Sequence, residues 1–148
     1  MPGQPSASIS VSNAGVWSGA VSELQGIARF KFHEGKLEDF KRLAAQCMEI
    51  VRTKDTGTLQ YDIYFSDDQS ECIVLERYRD SEALIEHAAH LGDLNEAILA
   101  TGYVSGSGAL LGEPSAELRA KMADGEVRLF TPYVSMLPSS RLPPCRSN

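Results

Sequence analysis

The amino-acid sequence predicts an α+β protein built on a ferredoxin-like split β-α-β unit, with helices against one face of an antiparallel sheet. Three observations carry that prediction. The apolar period changes from two to three-and-four between Leu24 and Arg52; two alternating runs follow, joined only by a short polar turn; and a second amphipathic stretch starts directly after them.

LQGIARFKFH, Leu24 to His33, alternates as a strand, with Ala28, Phe30 and Phe32 on one face and Ile27, Arg29 and Lys31 on the other. Between Lys36 and Arg52 the residues Leu37, Phe40, Ala44, Cys47 and Val51 recur at three and four, an amphipathic helix whose stripe Leu43, Met48 and Ile50 widen. Glu38 and Asp39 at its start and Arg52 and Lys54 at its end suit the helix dipole, and Gly57 is expected to end it. TLQYDIYF, Thr58 to Phe65, and the run from Cys72 to Tyr78 then form an antiparallel hairpin around SDDQSE. Asp80 or Ser81 caps a helix from about Glu82 to Leu91. DLNE, Asp93 to Glu96, has the spacing of a capping box and starts a short helix carrying Leu94, Ala97 and Ile98. The glycine-rich Thr101 to Gly112 is expected to hold an edge strand or extended connection. Pro114 fits the first turn of another helix, with Leu118 and Met122 inward and Gly125 closing it. Val127 to Leu137 is the last strand, and Pro132 places it at an edge or a bulge.

A length of 148 residues suits one domain, over residues 21–137, between a flexible arm at 1–20 rich in Ser, Gly, Ala and Pro and a flexible tail at 138–148. Trp17 stands alone in the arm and is expected to dock on the domain or on a second subunit. The formal charge of -6, with scattered basic residues, argues against nucleic acid as a partner. No apolar run approaches the roughly 20 residues that span a bilayer, so no membrane is expected and the cytoplasm is the expected location. Cys47, Cys72 and Cys145 form no CxxC pair; the first two read as buried thiols and the third as a tail residue. GSGALLG, Gly106 to Gly112, lacks the GxGxxG order and opens no helix after a strand, which argues against a nucleotide site.

Helices on one side leave the other sheet face uncovered. Tyr61, Glu76 and Tyr78 alternate with aliphatic residues in the strands, so that face is expected to line a cavity closed by a second copy, making a homodimer.

The run LERYRDSEALIEH resembles the signature of the antibiotic biosynthesis monooxygenase superfamily, a strand ending in Glu-x-Trp followed by a helix reading Ala-Leu-x-x-His. HEGKLEDFKRL and GTLQYDIYF are similar to that family's first helix and second strand, so the resemblance covers about residues 24–100. GEPSAEL and LFTPY resemble an extension in a subgroup of uncharacterised bacterial members. The resemblance implies a dimeric α+β barrel and cofactor-independent oxidation of a quinol or other aromatic small molecule by molecular oxygen. It carries the family's helix histidine onto His87 and its strand glutamate onto Glu76. Its strand tryptophan falls on Tyr78, a departure. The first-strand asparagine of haem-degrading relatives has no counterpart in LQGIARFKF, which argues against haem chemistry.

His87 lies in the apolar stripe of its helix, near Ala83, Leu84 and Leu91, whereas His90 is turned about 60° further round, toward Glu86. As a catalytic residue His87 would deprotonate or hold a phenol; as a structural one it would bond a backbone carbonyl or Glu76. Glu76 would accept a proton or fix His87, or else pair with Arg29 or Arg79. Tyr78, Tyr61 and Arg29 are the candidate substrate-binding residues. Tyr61 and Tyr64 point to opposite faces, so at most one lines a given cavity. His87 and His90 are close enough in sequence to share a metal, but no motif supplies the third ligand a catalytic zinc needs; neither metal nor cofactor is expected. The reading that competes with an oxygenase is a non-catalytic or stress-related module holding a small hydrophobic ligand in the same cavity.

Overall fold

The computed structural model describes residues 22–136, so the expectations for Trp17, Cys145, the arm and the tail lie outside the described residues. β1, Leu24–Phe32, is followed by helix α1, Leu37–Lys54, and then by the hairpin of β2, Thr58–Phe65, and β3, Glu71–Tyr78. After helix α2, Ser81–Leu99, come β4, Gly102–Val104, β5, Gly108–Leu111, helix α3, Ala116–Met122, and β6, Val127–Phe130. The strands make one open six-stranded sheet in the order β2-β3-β1-β5-β6, with β4 paired to β1 beside β5. The order 2-3-1-5 is that of the ferredoxin-like unit, with β1 at its centre.

Each element follows from its residues. Phe40, Leu43, Cys47 and Val51 are the buried stripe of α1, and its charged ends lie as the dipole favours. Asp80 caps α2, its carboxylate accepting from the Ala83 N–H at 2.8 Å. The restart expected at Asp93 appears as a break one residue earlier, at Gly92 with φ 42°, between two helical stretches joined end to end. Ser115 caps α3 by accepting from the Leu118 N–H at 3.2 Å, with Leu118 buried as expected and Pro114 just outside the helix.

Three expectations need correction. Gly57 does not end α1, which closes at Asp55 in an extended conformation. Gly57 instead makes room for α2, since a Cβ there would sit 2.5 Å from Cβ of Ala83. Gly57→Ala is therefore expected to cost about 1–3 kcal/mol, read by urea unfolding, because the start of β2 or of α2 must move. Of the stretch 101–112, β4 is an edge as expected, pairing with β1 alone, but β5 is not: it lies between β1 and β6. Finally, the sheet is not wholly antiparallel, because β6 runs parallel to β5. The crossover helix α3 returns the chain to the same direction, as a parallel pair requires.

The core lies between sheet and helices in two clusters. Leu24, Leu110 and Leu118 form one, with Leu84, Ile85, Met122 and Leu129 packed on it. Phe30, Phe40 and Cys72 form the other, with Phe32, Ala44, Ile63, Val74, Ile98 and Val104 around them. Burying each large side chain contributes about 1.5–3 kcal/mol. Burial pushes the Cys72 thiol up to about 11. It does the same to Cys47, where a hydrogen bond with Tyr61 works against it, again reaching about 11. Both remain protonated packing groups.

Candidate active site

Pairing of β1 with β3 sets Leu24 opposite Tyr78, Gly26 opposite Glu76, Ala28 opposite Val74 and Phe30 opposite Cys72. Because alternate residues share a face, Tyr78, Glu76, Val74 and the core residue Cys72 all point toward the helices. β2 adds Tyr61, opposite Glu76, to the same side. This corrects the expected location: Tyr61, Glu76 and Tyr78 lie under α2, and the uncovered face carries Ile27, Arg29, Ile73 and Tyr64.

Between the two core clusters is a cavity of about 310 Å³. Tyr78 and His87, both buried, mark its inner end with Val74 and Glu76 beside them, Leu84, Leu91 and Leu110 form its walls, and the exposed Asn95 and Val127, with Met122, mark its rim. Gly26 leaves the space into which Glu76 folds, since a Cβ there would lie 2.9 Å from Oε2 of Glu76.

His87 is 6% exposed and packs its ring 5.2 Å from that of Tyr78 and 5.3 Å from that of Tyr61. Its Nδ1 lies 2.7 Å from Oδ2 of Asp55, not against Glu76. Asp55, at the end of α1, is the residue that sequence reasoning missed. Its carboxylate, 2% exposed, also accepts from the Thr58 hydroxyl at 2.7 Å and meets Nδ1 of His90 at 2.7 Å. A carboxylate only accepts, so Nδ1 of each ring carries the hydrogen, and in a neutral His87 the lone pair is on Nε2. Nε2 of His87 has no protein partner among the described residues. No buried side-chain polar atom there is left without one, so Nε2 borders open space, and the cavity is the space His87 lines.

Glu76 accepts from the Tyr78 hydroxyl at 2.9 Å. Burial first, then the charge of Glu76 and that hydrogen bond, push the Tyr78 phenol far up, so it stays protonated and donates. Tyr61 is raised likewise, mainly by burial. It flanks His87 without lining the cavity. Arg29 is not at the site: it forms a two-pronged ion pair with Glu71, Nε lying 2.6 Å from Oε2, on the opposite sheet face. Arg79 bonds Asp80 at 3.2 Å, so neither arginine pairs with Glu76. His33 stands apart, its ring 5.9 Å from that of Tyr103.

Burial alone would raise the Asp55 carboxyl, but hydrogen bonds from His90, Thr58 and His87 and the charge of His87 outweigh it and hold it below the ordinary 3.8. A depressed folded value stabilises the fold at pH above the unfolded one. That contribution is complete above about pH 4 and is lost as pH falls through the folded value. Denaturant titrations between pH 5 and 2.5 are expected to show a steeper loss of stability in wild type than in Asp55→Asn.

The sequence profile of the family described as Antibiotic biosynthesis monooxygenase matches residues 26–92, the stretch holding Asp55, Glu76, Tyr78 and His87. Residues 26–92 carry an antibiotic biosynthesis monooxygenase domain. Solved structures share the ferredoxin-like fold of this monooxygenase-like family. MupZ from Pseudomonas fluorescens is 20% identical with a TM-score of 0.68, over 84% of this chain and 95% of its own. Rv0793 from Mycobacterium tuberculosis is 26% identical with a TM-score of 0.55, over 64% and 97%. SnoaB from Streptomyces nogalater, a cofactor-independent oxygenase, is 16% identical with a TM-score of 0.53, over 64% and 96%. No curated protein aligns significantly with the chain. Among the described residues no helix is long and apolar enough to cross a membrane.

Proposed function

We propose that this cavity is the active site of a cofactor-independent monooxygenase acting on a quinol or other aromatic small molecule with molecular oxygen. The observation that carries the reading is the hydrogen bond from His87 to buried Asp55, which turns the basic Nε2 toward an apolar cavity. The likeness in fold to SnoaB, a cofactor-independent oxygenase, supports it.

His87 removes the proton of a phenolic hydroxyl through Nε2, and Asp55 stabilises the imidazolium that forms. The resulting anion is electron-rich and itself reduces oxygen. When a ring CH₂ becomes C=O, one atom of O₂ ends on that carbon and the other leaves as water with the two hydrogens, so the substrate supplies every electron. Walls of Val74, Leu84, Leu91 and Leu110 keep water from the anion, and Tyr78 packs an aromatic ring beside His87. In this reading a second copy covers the open sheet face, where Ile27, Ile73 and Tyr64 are 39%, 44% and 54% exposed. Light scattering of the purified chain is expected to give twice the monomer mass, and a monomer mass would remove that assembly.

Oxygen-electrode measurements with a panel of quinols and naphthols test the reading. Consumption matched mole for mole by oxidised product is expected. Binding of panel members without any uptake of oxygen would leave a small-hydrophobic-ligand-binding module in its place.

A further inference from the structure

The inner end of the cavity holds two hydrogen-bond acceptors and no free donor. The Tyr78 hydroxyl donates to Oε2 of Glu76, and Nδ1–H of His87 donates to Asp55. What faces the cavity is Nε2 of His87 and Oε1 of Glu76, which also has no protein partner among the described residues and is not shut in. None of the residues lining the cavity is Lys or Arg. The rest of the wall is aliphatic until the rim, where Asn95 is exposed.

We infer that Glu76 determines specificity: the cavity selects molecules, neutral or cationic, that bring an O–H or N–H group to its inner end, and rejects carboxylates of the same shape. A carboxylate offers only lone pairs, so it would meet two acceptors with no hydrogen between them, and it would bring a second negative charge beside Glu76 where no cation balances it. A hydroxyl places its hydrogen on either acceptor. A cationic amine satisfies both and is not rejected, and the far end of any such molecule leaves past Asn95. The inference rests on the reading of this cavity as the substrate site and makes no use of the oxygen chemistry.

Calorimetry of the full chain at pH 7.5 with three probes of one shape decides it: 4-phenylphenol, biphenyl-4-carboxylate and biphenyl-4-methylamine. The phenol and the amine are expected to bind at least about tenfold more tightly than the carboxylate. In Glu76→Gln the gap between phenol and carboxylate is expected to narrow to about threefold or less, chiefly through better binding of the carboxylate. Equal affinities in wild type, an unchanged gap in Glu76→Gln, or no binding of any probe overturns the inference. Should Glu76→Gln fail to fold, the wild-type ranking of anion against amine decides alone. The ranking holding without oxygen uptake removes the oxygenase and keeps the specificity; uptake without the ranking does the reverse.

Discussion

His87→Ala is expected to lower kcat/KM for oxygen-dependent turnover by about two to four orders of magnitude, the range a positioned general base contributes. Loss of the base slows formation of the substrate anion, so most of the fall belongs in kcat, while apolar walls that His87 does not form continue to bind the aromatic body. His87 also fills core space between Tyr61 and Tyr78, so the variant loses packing as well. The two effects separate under a pH profile. Supplying the substrate at a pH where its phenol is already ionised should recover rate in the variant if proton removal is what was lost, whereas damage to packing would leave it equally slow at every pH. Unchanged oxygen uptake in a folded His87→Ala protein removes the catalytic role.

Asp55→Ala is expected to be the most destabilising change at the site, by about 3–5 kcal/mol in urea unfolding, because it leaves the buried His87 and the half-buried Thr58 and His90 without the carboxylate they share. The Thr58 hydroxyl, Nδ1 of His87 and Nδ1 of His90 all lose the acceptor they share. Asp55→Asn keeps the shape and tests the chemistry. An asparagine amide turned toward His87 donates to Nδ1 and moves the ring hydrogen to Nε2, which then offers the cavity a donor in place of a base. Nitrogen-15 NMR of the His87 ring should report that tautomer change together with a fall in turnover. A ring that keeps its hydrogen on Nδ1 in Asp55→Asn, with full activity, would show that Asp55 does not orient it.

Much of this was legible beforehand, and the failures have physical causes. α1 was readable because its stripe is long and strictly periodic, and Phe40, Leu43, Cys47 and Val51 are indeed what it buries. The grouping of Glu76 with Tyr78 follows from strand parity alone. Their side of the sheet is not legible in the same way, because a glutamate and tyrosines look like an open face, although Cys72, two and three pleats away, marks that side as core. The same parity places Arg29 opposite Phe30 and away from the cavity. Asp55 was not legible: 32 residues separate it from His87, and only the seating of the α1–β2 junction beside α2 brings them together. The parallel β6 was hidden for a related reason, since strand direction depends on how α3 crosses the sheet and no local pattern records it.

The unit β5-α3-β6 lies wholly beyond the matched residues 26–92, yet Leu110, Met122 and Val127 from it stand across the cavity from α2. The end that holds His87 and part of the wall thus come from separate stretches of chain. Exchange or redesign of residues 108–130 can alter which molecules are admitted while Asp55, Glu76, Tyr78 and His87 keep their geometry, so the capacity to diversify is physically detached from the chemistry it would serve.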